Sequence, residues 1–171
     1  MEMNFCRRCG ARLTDKSGGM FICDNNHTLF INAAPCVGIF FVTDDNQVMV
    51  SVRGIEPYKG SLDAFGGFVD ENESFEEALV REVEEELGLS QEEYNPPQYL
   101  CSNTGVYPYD GEVRTIIGAL FWTRLKPGTK PVASDDVAAI RYVPLKNFDL
   151  SLVGNTDSRA GIEKLQKIFV K

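Results

Sequence analysis

Three carboxylates stand at positions 82, 85 and 86 of a 171-residue chain. On a helix, Glu82, Glu85 and Glu86 fall at i, i+3 and i+4 and share one face. Like charges that close repel one another and weaken the helix that carries them. A cation between them relieves that repulsion, and hard oxygen ligands of this kind suit Mg2+ or Mn2+ rather than zinc. The competing reading is a solvated acidic helix face. A second set of ligand-type residues lies near the N-terminus, where Cys6-Arg7-Arg8-Cys9 has knuckle spacing and is followed by Cys23 and His27. Three thiolates and one imidazole make a tetrahedral Zn2+ site. The alternative there is a unit that has lost its metal, with Cys23 merely buried. His27 is the only histidine, so a Ser-His or Cys-His catalytic set would exclude zinc. A redox role for Cys6 and Cys9 lacks the βαβ context that such motifs need.

The elements that would position these groups are legible around them. Ser74 followed by Glu77 predicts a capping box and a helix from Phe75, and Gly88 sits where a left-handed cap ends it. Leu79, Val83 and Leu87 give that helix an apolar stripe. Residues 36–42 (CVGIFFV) and 47–52 (QVMVSV) predict strands of a hairpin, preceded by a link at residues 32–35. Arg53 follows at a strand end, as a phosphate ligand or a surface ion pair. Residues 98–107 and 114–125 predict two more strands around a turn at 108–111. Tyr107, Tyr109 and Trp122 on them either stack on a nucleobase or pack in the sheet. Cys36 and Cys101 read as core residues. A short strand at 140–144 follows the acidic loop Ser134-Asp135-Asp136. A last helix begins near Asp157 and Ser158, with Ile162, Leu165, Ile168 and Phe169 on its packing face.

Gly67, five residues, Glu73, seven residues, then Arg81-Glu82-Val83-Glu84-Glu85-Glu86-Leu87-Gly88-Leu89 spans 23 residues. This segment resembles the signature of the Nudix hydrolases at every fixed position. The resemblance implies an α/β fold, an α/β/α sandwich with a mixed sheet. It also implies Mg2+ (or Mn2+) held by Glu82, Glu85, Glu86 and the Gly67 carbonyl. Glu73 and Arg81 correspond to a pair that braces the loop and orients the helix. The implied chemistry is metal-dependent cleavage of the pyrophosphate in a nucleoside diphosphate linked to another moiety, with water attacking phosphorus in line. Arg53, Gly66, Gly67 and Tyr107 are the candidate substrate contacts. Glu112, Asp135 and Asp136 are candidates for a base outside the box. The glycine pair follows Phe65, where relatives commonly have proline.

Residues 1–31 resemble the zinc ribbon that precedes the Nudix domain in NADH pyrophosphatase-like relatives, which gives units at 1–31 and 36–171. Asn26 stands where the second knuckle usually has its fourth cysteine, and His27 comes one residue later. The expected substrates are NADH, ADP-ribose or a similar nucleotide. The downstream runs that mark NADH and ADP-ribose pyrophosphatases are both absent, since Thr104 and its neighbours replace them. The alternatives are a catalytically silent ligand-sensing module and a hydrolase of nucleotide-capped RNA. Relatives with this ribbon are often homodimers.

Net charge is −8, and nine of the 25 acidic residues lie in residues 70–86 beside the single base Arg81. The remainder balances at sixteen acidic and sixteen basic residues, which argues against a large nucleic-acid footprint. No apolar run is long enough for a membrane span and no signal-peptide core is visible, so a cytoplasmic protein is expected.

Overall fold

Residues 37–42 are apolar at every position, a pattern that suits a strand covered on both faces rather than one. In the computed structural model, which describes residues 4–109 and 111–170, that strand is the centre of the molecule. A small antiparallel sheet comes first, with β1 (Leu13–Ser17), β2 (Met20–Cys23) and β3 (Thr28–Phe30) in sequence order. The larger sheet contains β4 (Ala34–Val42), β5 (Gln47–Arg53) and β6 (Leu62–Asp63), then β7 (Gln98–Tyr109), β8 (Glu112–Thr123) and β9 (Val137–Pro144). Its order is β6-β5-β4-β8-β7, with β9 also on β5. Helices α1 (Phe75–Leu87) and α2 (Thr156–Phe169) cover its two faces.

Side chains of a strand alternate between faces, and β4 uses both. Val37, Ile39 and Phe41 pack with Leu79, Val83 and Leu87 of α1, whereas Phe40 and Val42 pack with Ile162 and Leu165 of α2. All ten are buried, and each such side chain contributes about 1.5–3 kcal/mol. The result is the expected α/β sandwich with a mixed sheet.

Helix α1 has its predicted ends. The Ser74 hydroxyl accepts from the Glu77 N–H at 3.2 Å, and the Glu77 carboxylate accepts from the Ser74 N–H at 2.8 Å. Gly88 closes the helix at φ 64° and donates to the Glu84 carbonyl. Such a cap is worth about 1 kcal/mol.

Strand pairing departs from the simple hairpin. β4 and β5 share only Phe41–Met49 and Val42–Val48, beside the turn. The long partner of β4 is β8, in parallel, from Ala34–Ile116 to Phe41–Thr123, and the long partner of β5 is β9. Ala34 and Pro35 therefore belong to β4 rather than to a link. β7 and β8 run closer to their turn than expected, with Pro108 opposite Val113; Asp110, in the expected turn, lies outside the described residues. α2 begins earlier than the spacing suggests. Asn155 caps it by accepting from the Asp157 N–H at 3.1 Å, so Asp157 and Ser158 fall in the first turn and are buried. Among the described residues no helix is long and apolar enough to cross a membrane.

Candidate active site

The first half of β4, the segment after β6 and one face of α1 enclose a cleft of about 340 Å3. Its mouth carries Glu82, Glu85 and Glu86, with Gly66 and Gly67 opposite and Asp135 and Asp136 beside them. Gly66 has φ 138°, and a Cβ there would strike the Val37 carbonyl. Its N–H donates to Glu86 at 2.9 Å. A Cβ on Gly67 would displace the Glu82 carboxylate, whereas at Gly66 the backbone itself requires glycine. The Gly67 carbonyl accepts from the Val37 N–H at 2.9 Å and keeps a second lone pair.

The crowding of the three glutamates is met within the chain. Arg81 Nη1 donates to Glu82 at 2.7 Å and to Glu85 at 3.1 Å. Its Nε and Nη2 form a fork on Glu73, both at 2.9 Å, and Nη2 also reaches the Phe68 carbonyl. The hydrogen bonds to Glu73 lead the rise in the Arg81 pKa. The guanidinium is thus a counter-ion for two of the three carboxylates, where sequence reasoning allotted that place to a divalent ion. Glu86 lies deeper. Burial first, then the like charges of Glu82, Asp63 and Asp136, push its carboxyl up to about 8 against the pull of the Gly66 N–H. Burial also raises Glu82.

Two of the three candidate bases lie in this cleft. Asp135 and Asp136 line it, whereas Glu112 is exposed at the start of β8 and does not. Burial, with the charge of Asp135 next, raises Asp136. The loop that bears them is tied to α1 by hydrogen bonds from Ser134 N–H to the Glu86 carbonyl and from Val132 N–H to the Leu87 carbonyl. Gly54 N–H, just after β5, bonds the Asp136 carbonyl at 2.7 Å.

Arg53 and Tyr107 form the opposite wall. Arg53 donates to the Pro57 carbonyl at 2.8 Å, to Asp63 at 3.0 Å and to the Tyr107 hydroxyl at 3.0 Å. Tyr107 meets Phe68 edge-on, with ring centroids 5.6 Å apart. Trp122 packs edge-on against Phe169 in the core under α2, the ordinary sheet-packing role. The side chain of Tyr109 lies outside the described residues. Phe65 is fully buried against Phe41.

Four residues of the cleft escaped the sequence reading in any functional sense: Cys36, Asp63, Asp157 and Ser158. Asp63 is buried, pairs with Arg53 and accepts from the Ser158 hydroxyl and the Ala64 N–H. A carboxylate set among apolar residues just ahead of the glycine pair was the signal available for it.

The N-terminal ligand set converges as well. Ligand atoms of Cys6, Cys9, Cys23 and His27 all lie within 4.8 Å of one another, the one such Cys, His, Asp or Glu group among the described residues. Cys6 Sγ is 3.7 Å from His27 Nδ1, and Cys9 Sγ is 3.8 Å from Cys23 Sγ. A tetrahedron with bonds of about 2.3 Å has edges of about 3.7 Å. Asn26 takes a left-handed conformation at φ 61°, and its N–H bonds the Cys23 carbonyl. After this turn the His27 ring lies beside Cys6. The Asn25 amide leads the lowering of the Cys9 thiol to about 6, which favours the thiolate.

Comparison with known proteins gives this geometry its context. The sequence model of the NUDIX domain matches residues 33–165. The human mitochondrial protein described as NAD(P)H pyrophosphatase NUDT13 is 34% identical over 106 residues, 61% of this chain and 29% of that protein. An ADP-ribose pyrophosphatase from Methanocaldococcus jannaschii is 41% identical over 64 residues, 37% of each chain. The matches thus span only about a third of these curated relatives. The crystal structure of a NUDIX hydrolase from Nitrosomonas europaea superimposes with a TM-score of 0.63 at 20% identity, covering 96% of this chain and 89% of that one. With the family model covering β4 through most of α2, the chain belongs to the Nudix family.

Proposed function

We propose that the protein is a Mg2+- or Mn2+-dependent hydrolase that splits the phosphoanhydride of a nucleoside diphosphate linked to another group, of the NADH or ADP-ribose type. The observation that carries this reading is the single cleft that gathers Glu82, Glu85, Glu86, Asp135 and Asp136 against a glycine pair, with Arg53 as a cation on its far wall. The donor chemistry suits a hard divalent ion, which would draw together three carboxylates that do not themselves lie within 4.8 Å of one another and add the free lone pair of the Gly67 carbonyl. When bound, such an ion neutralises diphosphate charge and makes water a better nucleophile.

The remaining work belongs to the chain. Glu86 releases its proton as positive charge arrives. Arg81 holds Glu82 and Glu85 on the cleft face and, through Glu73, fixes the loop that carries Phe68. Arg53 uses three of its five N–H groups internally, which leaves donors for a phosphate oxygen. Asp135 or Asp136 accepts the proton of the attacking water. Asp136 suits this task better because its raised pKa brings it nearer neutrality.

Residues 1–31 form the ribbon unit and the hydrolase domain begins with β4 at Ala34 rather than at 36 in this reading, with structural Zn2+ on Cys6, Cys9, Cys23 and His27. The homodimer has its support in the outer face of β7 and β8, where Tyr99, Val106, Val113 and Ile117 are exposed and carry no charge.

The test is hydrolysis of NADH, ADP-ribose, diadenosine polyphosphates and nucleotide sugars with product identification. Activity is expected with Mg2+ or Mn2+ and not with EDTA. Glu85→Gln should lose at least about 100-fold in turnover. Full activity in that variant would remove the metal assignment.

A further inference from the structure

Among the described residues Arg53 is the one lysine or arginine that lines the cleft, and three contacts fix its plane. They come from three places: the loop after β5 through the Pro57 carbonyl, β6 through Asp63, and β7 through the Tyr107 hydroxyl. Asp63 is itself anchored. It is 5% exposed and accepts from the Ala64 N–H at 2.9 Å and from the Ser158 hydroxyl. A guanidinium tied to a buried, anchored carboxylate has little freedom to turn.

The contact with Tyr107 has a chemical direction. Arginine offers no acceptor, so Nη2 donates and the phenol oxygen accepts. The phenol proton therefore points away from Arg53, and no group among the described residues accepts it. Burial, opposed by the charge of Arg53, raises the Tyr107 pKa above its ordinary value, so the hydroxyl keeps that proton. The ring is braced edge-on by Phe68, and Tyr107 lines the same cleft. A fixed O–H donor and the unused N–H of Arg53 Nη2 thus start from atoms 3.0 Å apart, a spacing that suits two donors on one phosphate group.

Resting on the hydrolase reading above, we propose that Tyr107 binds the substrate through its hydroxyl rather than its ring, donating a hydrogen bond to a phosphate oxygen beside the one that Arg53 engages. The other charged groups lining the cleft are all carboxylates. They repel any phosphate oxygen that a metal ion does not neutralise, which leaves the corner of Arg53 and Tyr107 to receive it. A hydrogen bond to an ionised acceptor is stronger than one between neutral groups. A nucleobase stacked on the ring would instead leave the hydroxyl dispensable.

The experiment measures binding of ADP and of adenosine, in Mg2+, to the wild type and to Tyr107→Phe, which keeps the ring and removes only the hydroxyl. ADP affinity should fall about tenfold or more, the scale of one hydrogen bond to a charged group, while adenosine affinity stays the same. Unchanged ADP binding, equal losses for the two ligands, or no ADP binding by the wild type overturns the phosphate contact. The same substitution in an Arg53→Lys background separates a direct contact from mere support of the guanidinium. A direct contact costs ADP binding about tenfold there too; no further loss would reduce Tyr107 to a positioning residue for Arg53 and overturn the proposal. If the wild type hydrolyses neither ADP-ribose nor NADH while these binding differences hold, the hydrolase reading fails and the phosphate contact stands.

Discussion

Glu86 shows how far a site can push a single carboxyl. Its pKa rises from an ordinary 4.5 to about 8, chiefly through burial. Between those values the metal-free folded chain holds a proton that the unfolded chain has released. Raising the pH therefore favours unfolding across that window, by about 1.4 kcal/mol for each unit of displacement. In EDTA, the melting temperature of the wild type should fall from pH 5 to pH 9, and Glu86→Gln should remove most of the slope. Thermal melts across that range check it; a wild-type curve that rises relative to the variant contradicts it. The three glutamates were legible as a cluster because helical spacing is local. Helical spacing also puts Glu85 within reach of Arg81, but the bridge from Arg81 on to Glu82 was not legible. Its partner Glu73 could be read from the sequence, but whether the guanidinium turned toward Glu82 depended on the fold of the glycine loop.

At the scale of elements, α1 was readable to the residue because its caps and apolar stripe are all encoded within its own span. The strands were readable as strands but not as neighbours. β4 pairs over its length with β8, some eighty residues on, and parallel pairing leaves no local turn signal. For the same reason Asp157 and Ser158 passed as helix-capping residues. Only the seating of α2 on the sheet turns them into the cleft. The small β1–β3 sheet buries Cys6, Cys23 and Leu29 as its own cluster, too little apolar surface to stand without a staple. Purified protein should contain about one zinc per chain. Its removal should free the amides of residues 4–31 to exchange while those of β4 and β8 stay protected, as followed by hydrogen exchange. A zinc-free sample with the early amides still protected would favour a ribbon that has lost its metal.

The molecule as a whole carries its net charge of −8 in one short segment, and the fold brings three of the nine acidic residues there, Glu82, Glu85 and Glu86, to one cleft. A ligand that binds only the folded chain stabilises it by mass action. Millimolar Mg2+ should therefore raise the melting temperature well beyond the effect of NaCl at equal ionic strength, and Glu82→Gln should blunt that rise. Equal shifts from the two salts would indicate general screening instead. Composition alone had already placed the excess charge, whereas the meeting of Glu82, Glu85 and Glu86 with Arg53 and Asp136 across one cleft needed the fold.

The loop at residues 132–136 is sutured to the last carbonyls of α1 at one end and to Gly54 at the other. Hydrolytic machinery and candidate base therefore travel as one casting, with no hinge between them. Substitutions in the ribbon lie outside that casting. They can accumulate without shifting the glutamates against Asp135 and Asp136.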